Sequence, residues 1–131
     1  SWRRAAKVLD RLEPLLKKLH ERGWVWRDAK PSHVLARGGQ YFLLDFENAC
    51  RCDEQSIDAW SSRNYRPPEF AQRTHRPPGM REDDYSLGVI AFQFLAGKFP
   101  PRSQRLRAQV YRRTRCPDSL RARIERLFAP S

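Results

Sequence analysis

The stretch that decides the fold is LHERGWVWRDAKP, residues 19–31 of a 131-residue chain. It runs from the end of an amphipathic pattern through Gly23, a residue type that commonly ends helices, to Asp28 and a Lys-Pro dipeptide two positions later. A second acidic motif, Asp45-Phe46-Glu47, begins 17 positions after Asp28. Two carboxylates at this separation mean little by themselves. Together with the Lys-Pro dipeptide and an apolar hairpin between them, however, they form a combination that would rarely arise by chance.

The segment before this stretch predicts an amphipathic helix over residues 2–22, because apolar side chains recur there every three or four positions among charged ones. These apolar residues are Ala5, Val8, Leu9, Leu12, Leu15, Leu16 and Leu19. Pro14 lies inside the pattern, where a proline removes a hydrogen bond and clashes with the preceding turn at a cost of about 3 kcal/mol. We therefore expect either a kink at Pro14 or two abutting helices.

The segment after it predicts a β-hairpin, because two short apolar runs, residues 34–36 and 41–44, flank a Gly-Gly turn. From residue 47 to residue 62 the chain is polar and without periodicity, which indicates a surface loop. A Pro-Pro pair closes that loop, and residues 69–72 predict a short helix. The hairpin therefore lies between the two acidic motifs.

The C-terminal half predicts three more helices. From Asp83 onward the residues are apolar on nearly all sides, which is typical of a helix buried in the middle of a domain. Gly97 ends it, and two further helices are predicted over residues 106–111 and 119–128. The fold class is therefore mostly α (α+β), one domain over residues 1–131.

Composition restricts the possible functions. Hydrophobic residues make up 40% of the chain in patterned runs, which excludes a disordered segment despite a net charge of +11. That charge favours anionic partners, but no zinc-finger spacing, helix-turn-helix signature or aromatic-basic repeat accompanies it, so nucleic-acid binding is not expected. Cys50, Cys52 and Cys116 lack a CxxC spacing, which favours free thiols. With no signal peptide and no membrane-spanning run, we expect no membrane partner and a cytoplasmic location.

The order of these features resembles the C-terminal lobe of the eukaryotic-like serine/threonine protein kinases over nearly the whole chain. Residues 26–28, Trp-Arg-Asp, are similar to the family's His-Arg-Asp motif. The resemblance implies that Asp28 is the catalytic base and that Lys30 neutralises charge on the transferring phosphoryl group. It also implies that Asp45 binds Mg²⁺, and that ATP is the phosphoryl donor.

The same resemblance assigns the residues that frame the substrate site. Residues 61–69 look like the end of an activation segment, with Ser62 where serine/threonine kinases keep a hydroxyl and Glu69 completing Pro-Pro-Glu. Arg27 is expected to meet a phosphate or an acidic group on the loop from residue 45 to residue 69. Asp83 is expected to be structural and to bind the backbone of the catalytic loop. The expected partner of Glu69 is an arginine beyond residue 131.

Two departures leave rival functions open. His33 stands where the family has an asparagine that binds the second metal ion, and an imidazole prefers softer metals than magnesium. Glu47 replaces the glycine of Asp-Phe-Gly, as in choline-kinase-like phosphotransferases. The combination of His33 and Glu47 resembles that of the bacterial lipopolysaccharide kinases. The alternatives to a protein kinase are therefore a pseudokinase-type interaction module and a small-molecule or envelope-sugar kinase.

The sequence contains no glycine-rich loop and no strand lysine, so we expect the N-terminal lobe to be absent and the isolated lobe to be inactive. Its expected partners are a protein substrate or the missing lobe.

Overall fold

The computed structural model describes residues 1–54, 57–58, 63–70, 75–76 and 79–130. Within these residues the fold is mostly helical, with three small antiparallel two-stranded sheets. The helices are α1 (Trp2–Glu21), α2 (Met80–Ala96), α3 (Gln104–Arg113) and α4 (Asp118–Phe128). The strands are β1 (Trp24–Val25), β2 (Val34–Arg37), β3 (Gln40–Leu43), β4 (Cys50–Arg51), β5 (Ile57–Asp58) and β6 (His75–Arg76). Short 3₁₀ turns cover Pro31–His33, Arg63–Tyr65 and Pro68–Phe70.

Helix α1 forms as its periodicity predicts and buries one stripe of side chains against α2. The buried residues of that stripe are Ala5, Val8, Leu9, Leu12 and Leu16. The helix is continuous from Trp2 to Glu21 with Pro14 inside it. The expectation of two abutting helices is therefore wrong, because the packing of the apolar stripe outweighs the missing hydrogen bond of one proline.

Helix α2 is the centre of the core, and α1 and α4 pack against it. Seven consecutive residues from Ser86 to Phe92 are buried. Gly88 allows α2 and α4 to lie close together, since a Cβ atom at this position would lie only 2.8 Å from the ring of Phe128 on α4. The helix begins at Met80, three residues before the predicted start, because Glu82 accepts a hydrogen bond from the Gly79 amide and folds the first turn.

The predicted hairpin is present as β2–β3, with Val34 opposite Leu43 and Arg37 opposite Gln40. Gly38 and Gly39 have φ values of 59° and 78°, the left-handed pair that a two-residue hairpin turn requires. The region predicted as a surface loop contains β4, which pairs with β1 so that Val25 lies opposite Cys50. This pairing joins the stretch of residues 19–31 to the chain beyond the second acidic motif.

The remaining predicted helices are present with somewhat longer bounds. Helix α3 is longer than predicted at both ends. Ser103 caps its first turn by accepting a hydrogen bond from the Leu106 amide. Residues 69–70 lie in a 3₁₀ turn, while 71–72 are outside the described residues. None of the described helices is both long enough and apolar enough to cross a membrane.

Candidate active site

The loop after β1 places Trp26, Arg27 and Asp28 between α1 and α2. Trp26 is buried, and its indole Nε1 donates to the backbone oxygens of Leu44 at 3.2 Å and Asp45 at 3.1 Å. Arg27 has a φ of 72°, a conformation that non-glycine residues adopt only where their surroundings hold them. The tryptophan therefore ties the loop that carries Asp28 to the strand end that carries Asp45.

Asp83, on the first turn of α2, holds the backbone of this loop. Its side chain is fully buried. One carboxylate oxygen accepts from the amide of Arg27 at 2.8 Å, and the other accepts from the amide of Trp26 at 2.8 Å. His20 at the end of α1 places its Nε2 at 2.7 Å from the same carboxylate. Asp83 thus bonds the backbone of the two residues before Asp28, and these contacts satisfy a buried charge that would otherwise be costly.

Asp28, His33 and Asp45 converge into one cluster. A ligand atom from each lies within 4.8 Å of the other two. His33 Nδ1 lies 2.8 Å from the carbonyl oxygen of Asp28, and since a carbonyl only accepts, Nδ1 carries a proton. His33 Nε2 lies 3.2 Å from an Asp45 carboxylate oxygen. The histidine therefore lies between the two aspartates.

The two aspartates of the cluster have different surroundings. The side chain of Asp28 is 10% exposed, whereas that of Asp45 is 42% exposed. Asp45 has a φ of 61°, so its backbone also occupies the left-handed region. Sequence reasoning did not find Asn48, whose side-chain amide lies 3.5 Å from the Asp28 carboxylate. Lys30 directly precedes the 3₁₀ turn that carries His33 and is partly buried.

The comparisons with known proteins decide the family. The model of the protein kinase domain matches residues 2–126. The chain belongs to the protein kinase family. It is 32% identical over 108 residues to the serine/threonine-protein kinase pkn2 of Myxococcus xanthus, covering 74% of this chain and 13% of that protein.

Two further relatives show the same range of similarity. The serine/threonine-protein kinase Pkn1 of Myxococcus xanthus is 33% identical over 111 residues, which is 79% of this chain and 16% of that protein. The citron rho-interacting kinase of Rattus norvegicus is 32% identical over 90 residues, which is 63% of this chain and 4% of that protein. The chain thus spans less than a fifth of the length of each of these three kinases.

The kinase lobe has two anchors at the start of α2 that sequence reasoning missed. Arg27 was expected to meet a group on the loop between residues 45 and 69, and its guanidinium does approach the carbonyl of Asn48 at 3.4 Å. Among the described residues, Glu82 of α2 also offers it a charged group, with 3.5 Å between Arg27 Nε and a Glu82 carboxylate oxygen. Both side chains are buried, 4% and 1% exposed. A glycine followed three residues later by a glutamate is the signal that could have placed Glu82 in a helix start.

The second anchor involves Glu69. Arg81 Nε of α2 donates to Glu69 at 2.9 Å, while the arginine expected beyond residue 131 lies outside this sequence. The same guanidinium donates to the carbonyl oxygens of Phe128 at 2.9 Å and Ala129 at 2.8 Å, where α4 ends. Burial opposes ionisation of Glu69, but the hydrogen bond and charge of Arg81 outweigh it and lower the pKa of this carboxyl group.

The predicted serine of the activation segment lies outside the described residues. Ser62 and the nearby Ser56 and Ser61 all fall there. Glu69 is described, in the 3₁₀ turn Pro68–Phe70.

Proposed function

We propose that this lobe transfers the γ-phosphoryl group of ATP to a serine or threonine hydroxyl of a protein substrate, in the intact protein that contains it. The observation that carries the proposal is the convergence of Asp28 and Asp45 on either side of His33. Phosphoryl transfer depends mainly on positioning and electrostatic stabilisation, and a carboxylate base beside a carboxylate metal ligand supplies both. The names of the two Myxococcus xanthus relatives support a serine/threonine specificity.

Asp28 acts as the base of this reaction. Its backbone is fixed by the contacts between Asp83 and the two preceding residues, so the carboxylate is held in place before substrate arrives. The substrate hydroxyl oxygen forms a bond to the γ-phosphorus as the bond to the β–γ bridging oxygen breaks and ADP leaves. The hydroxyl proton passes to Asp28. Lys30, two residues later on the same loop, neutralises charge on the transferring group.

The ligand chemistry of the cluster fits a magnesium ion at Asp45. The Asp45 carboxylate is a hard oxygen ligand and is exposed enough to be reached by a nucleotide-bound ion. Of the two His33 nitrogens, Nδ1 is engaged by the Asp28 carbonyl, which leaves Nε2 facing Asp45. Bound magnesium neutralises charge on the β- and γ-phosphates. Asp45 would hold it, with the Asp28 carboxylate and His33 Nε2 nearby.

The partners follow from what this sequence lacks. In the family, a glycine-rich loop and a strand lysine cover the phosphates, and neither occurs in the 131 residues. We therefore propose that the lobe works with an N-terminal lobe and with a protein substrate bound along the segment that ends at Glu69. Ser62 is proposed to hydrogen-bond the catalytic Asp28.

The test is phosphoryl transfer from γ-labelled ATP by the intact protein, with and without magnesium. We expect magnesium-dependent label on serine or threonine of a protein. His33 in place of the family's asparagine favours a pseudokinase, which would give no label under any metal condition. Glu47 after Asp-Phe favours a small-molecule or envelope-sugar kinase, which would place the label in a low-molecular-weight or glycolipid fraction. Either of these outcomes would replace the protein-kinase proposal.

A further inference from the structure

The catalytic loop contains a buried positive charge directly beside the catalytic base. Arg27 precedes Asp28 and has a φ of 72°, a backbone conformation that persists only when neighbouring groups hold it. Its side chain is only 4% exposed. Burying a guanidinium is costly unless an anion accompanies it, so the anion that accompanies Arg27 helps to determine the geometry of Asp28.

Glu82 provides that anion from the protein core. Its side chain is 1% exposed, and one of its carboxylate oxygens lies 3.5 Å from Arg27 Nε. This distance describes an ion pair rather than a short hydrogen bond. The other oxygen accepts from the Gly79 amide at 3.4 Å, which fixes the carboxylate to the start of α2. Glu82 is thus held by a helix that is itself the centre of the core.

Three consecutive residues of α2 therefore hold three different parts of the kinase centre. Arg81 holds Glu69 at the end of the activation segment, and Asp83 holds the backbone of the catalytic loop. Glu82, between them, holds the side chain of Arg27. All three contacts are therefore made from the first turn of one core helix.

We infer that Glu82 is a positioning residue for Asp28, acting through Arg27, and that it removes the need for a phosphate on the activation segment. The inference rests on the proposed kinase function. Many kinases order this region by pairing arginine with a phosphorylated residue. Here the buried Arg27 already has a carboxylate partner, and a phosphate brought beside Glu82 would be repelled by a like charge. The catalytic loop is set by folding rather than by phosphorylation.

The experiment compares the intact kinase before and after complete dephosphorylation by a protein phosphatase. We expect the kcat of the wild type to stay within about twofold. Glu82→Gln keeps the shape of the side chain and removes its charge. We expect its kcat to fall about 10- to 100-fold, the size of effect that a small misplacement of a catalytic group produces, while KM for ATP is nearly unchanged.

Two matched variants separate positioning from general stability. Glu21→Gln removes the charge of an exposed glutamate at the end of α1 and should leave kcat unchanged. Glu82→Asp keeps the charge and should recover part of the lost kcat. Equal kcat values for Glu82→Gln and Glu21→Gln would overturn the inference. Loss of wild-type activity on dephosphorylation would overturn it as well, while leaving the kinase proposal intact.

Absence of any phosphoryl transfer by the wild type would instead refute the proposed function, and the ion pair would then be tested by melting temperatures. The same test applies if Glu82→Gln does not fold. Replacing both partners of a buried pair by apolar residues costs less than breaking the pair. Arg27→Met with Glu82→Met should therefore melt above either single methionine variant. Additive decreases would show that Arg27 and Glu82 are not coupled.

Discussion

The two sides of the proposed kinase centre, a base side at Asp28 and a metal side at Asp45, are built in different ways. Asp28 lies on a loop whose backbone is bonded to the buried Asp83, and its side chain is 10% exposed. Asp45 lies at the end of a hairpin strand, and its side chain is 42% exposed. The base needs a fixed position before the substrate binds, whereas a metal ligand must remain open to an ion that arrives with its nucleotide. The core of the lobe therefore fixes one carboxylate and leaves the other accessible.

The largest expected effect concerns the base itself. Asp28→Asn removes the proton acceptor but keeps the size of the side chain, so turnover of the intact kinase should fall about 10²- to 10⁴-fold. The melting temperature of the 131-residue chain should barely change, since asparagine keeps the shape of the side chain and the contacts to Asn48 and to His33 Nδ1 are long, 3.5 Å each. Asp53→Asn, at a side chain that is 79% exposed, is the control for turnover. Unchanged turnover in Asp28→Asn would show that another group is the base.

The next effect concerns the residue that holds the base side. Asp83→Ala leaves the amides of Trp26 and Arg27 without their buried acceptor, which costs about 1–3 kcal/mol or more. At this chain length that lowers the melting temperature by about 3–6 °C for each kcal/mol. Calorimetry should show this decrease in Asp83→Ala and not in Asp53→Ala. A larger decrease in melting temperature for Asp28→Asn than for Asp83→Ala would contradict the view that Asp83, and not Asp28, holds the loop in place.

A smaller effect is expected on the metal side. His33→Asn replaces an imidazole by an amide oxygen, a harder ligand that suits magnesium better. We expect the magnesium concentration for half-maximal activity of the intact kinase to fall by about 10-fold, at the lower end of effects seen around metal sites. His33→Ala removes the imidazole without supplying a ligand, so it should not produce the same gain. Equal magnesium responses in the two variants would show that position 33 does not reach the metal.

The smallest effect is expected at the edge of the site. The side chain of Glu69 is 45% exposed, and an ion pair of this kind with Arg81 contributes about 0.2–1 kcal/mol. Because the folded state lowers the pKa of Glu69 below its ordinary value of 4.5, this stabilisation is present above that pH and is lost as the pH falls below it. Melting curves of wild type and Glu69→Gln should therefore differ at pH 7 and converge in acid. If the difference in melting temperature between the two proteins stayed constant from pH 7 into acid, the Glu69–Arg81 ion pair would not be its cause.

The two sides also differ in how much of them the sequence predicts. The motifs that carry the family resemblance contain Asp28, His33 and Asp45, and the hairpin predicted between the two acidic motifs returns the chain so that the three lie together. Arg81 and Glu82 were missed, since charged residues before an apolar run look like an exposed turn. Their burial results from pairing with residues far away in sequence, which no local pattern records.

The same reasoning explains the errors in the fold. Helices α1 and α2 carry long periodic or apolar runs, so their existence was predictable from local sequence. The pairing of β1 with β4 was not, because strands of two residues have no alternation to detect and their partners lie about 26 positions apart. Packing likewise decided that α1 runs through Pro14 as one helix.

Amide hydrogen exchange of the 131-residue chain tests most directly the claim that the core fixes the base side and leaves the metal side open. The amides of Trp26 and Arg27 are bonded to a fully buried carboxylate, so they should exchange only through openings nearly as costly as global unfolding. The amides of Phe46 and Glu47, next to the half-exposed Asp45, should exchange much faster. Equal exchange rates at the four amides, or slower exchange at Phe46 and Glu47, would contradict the account.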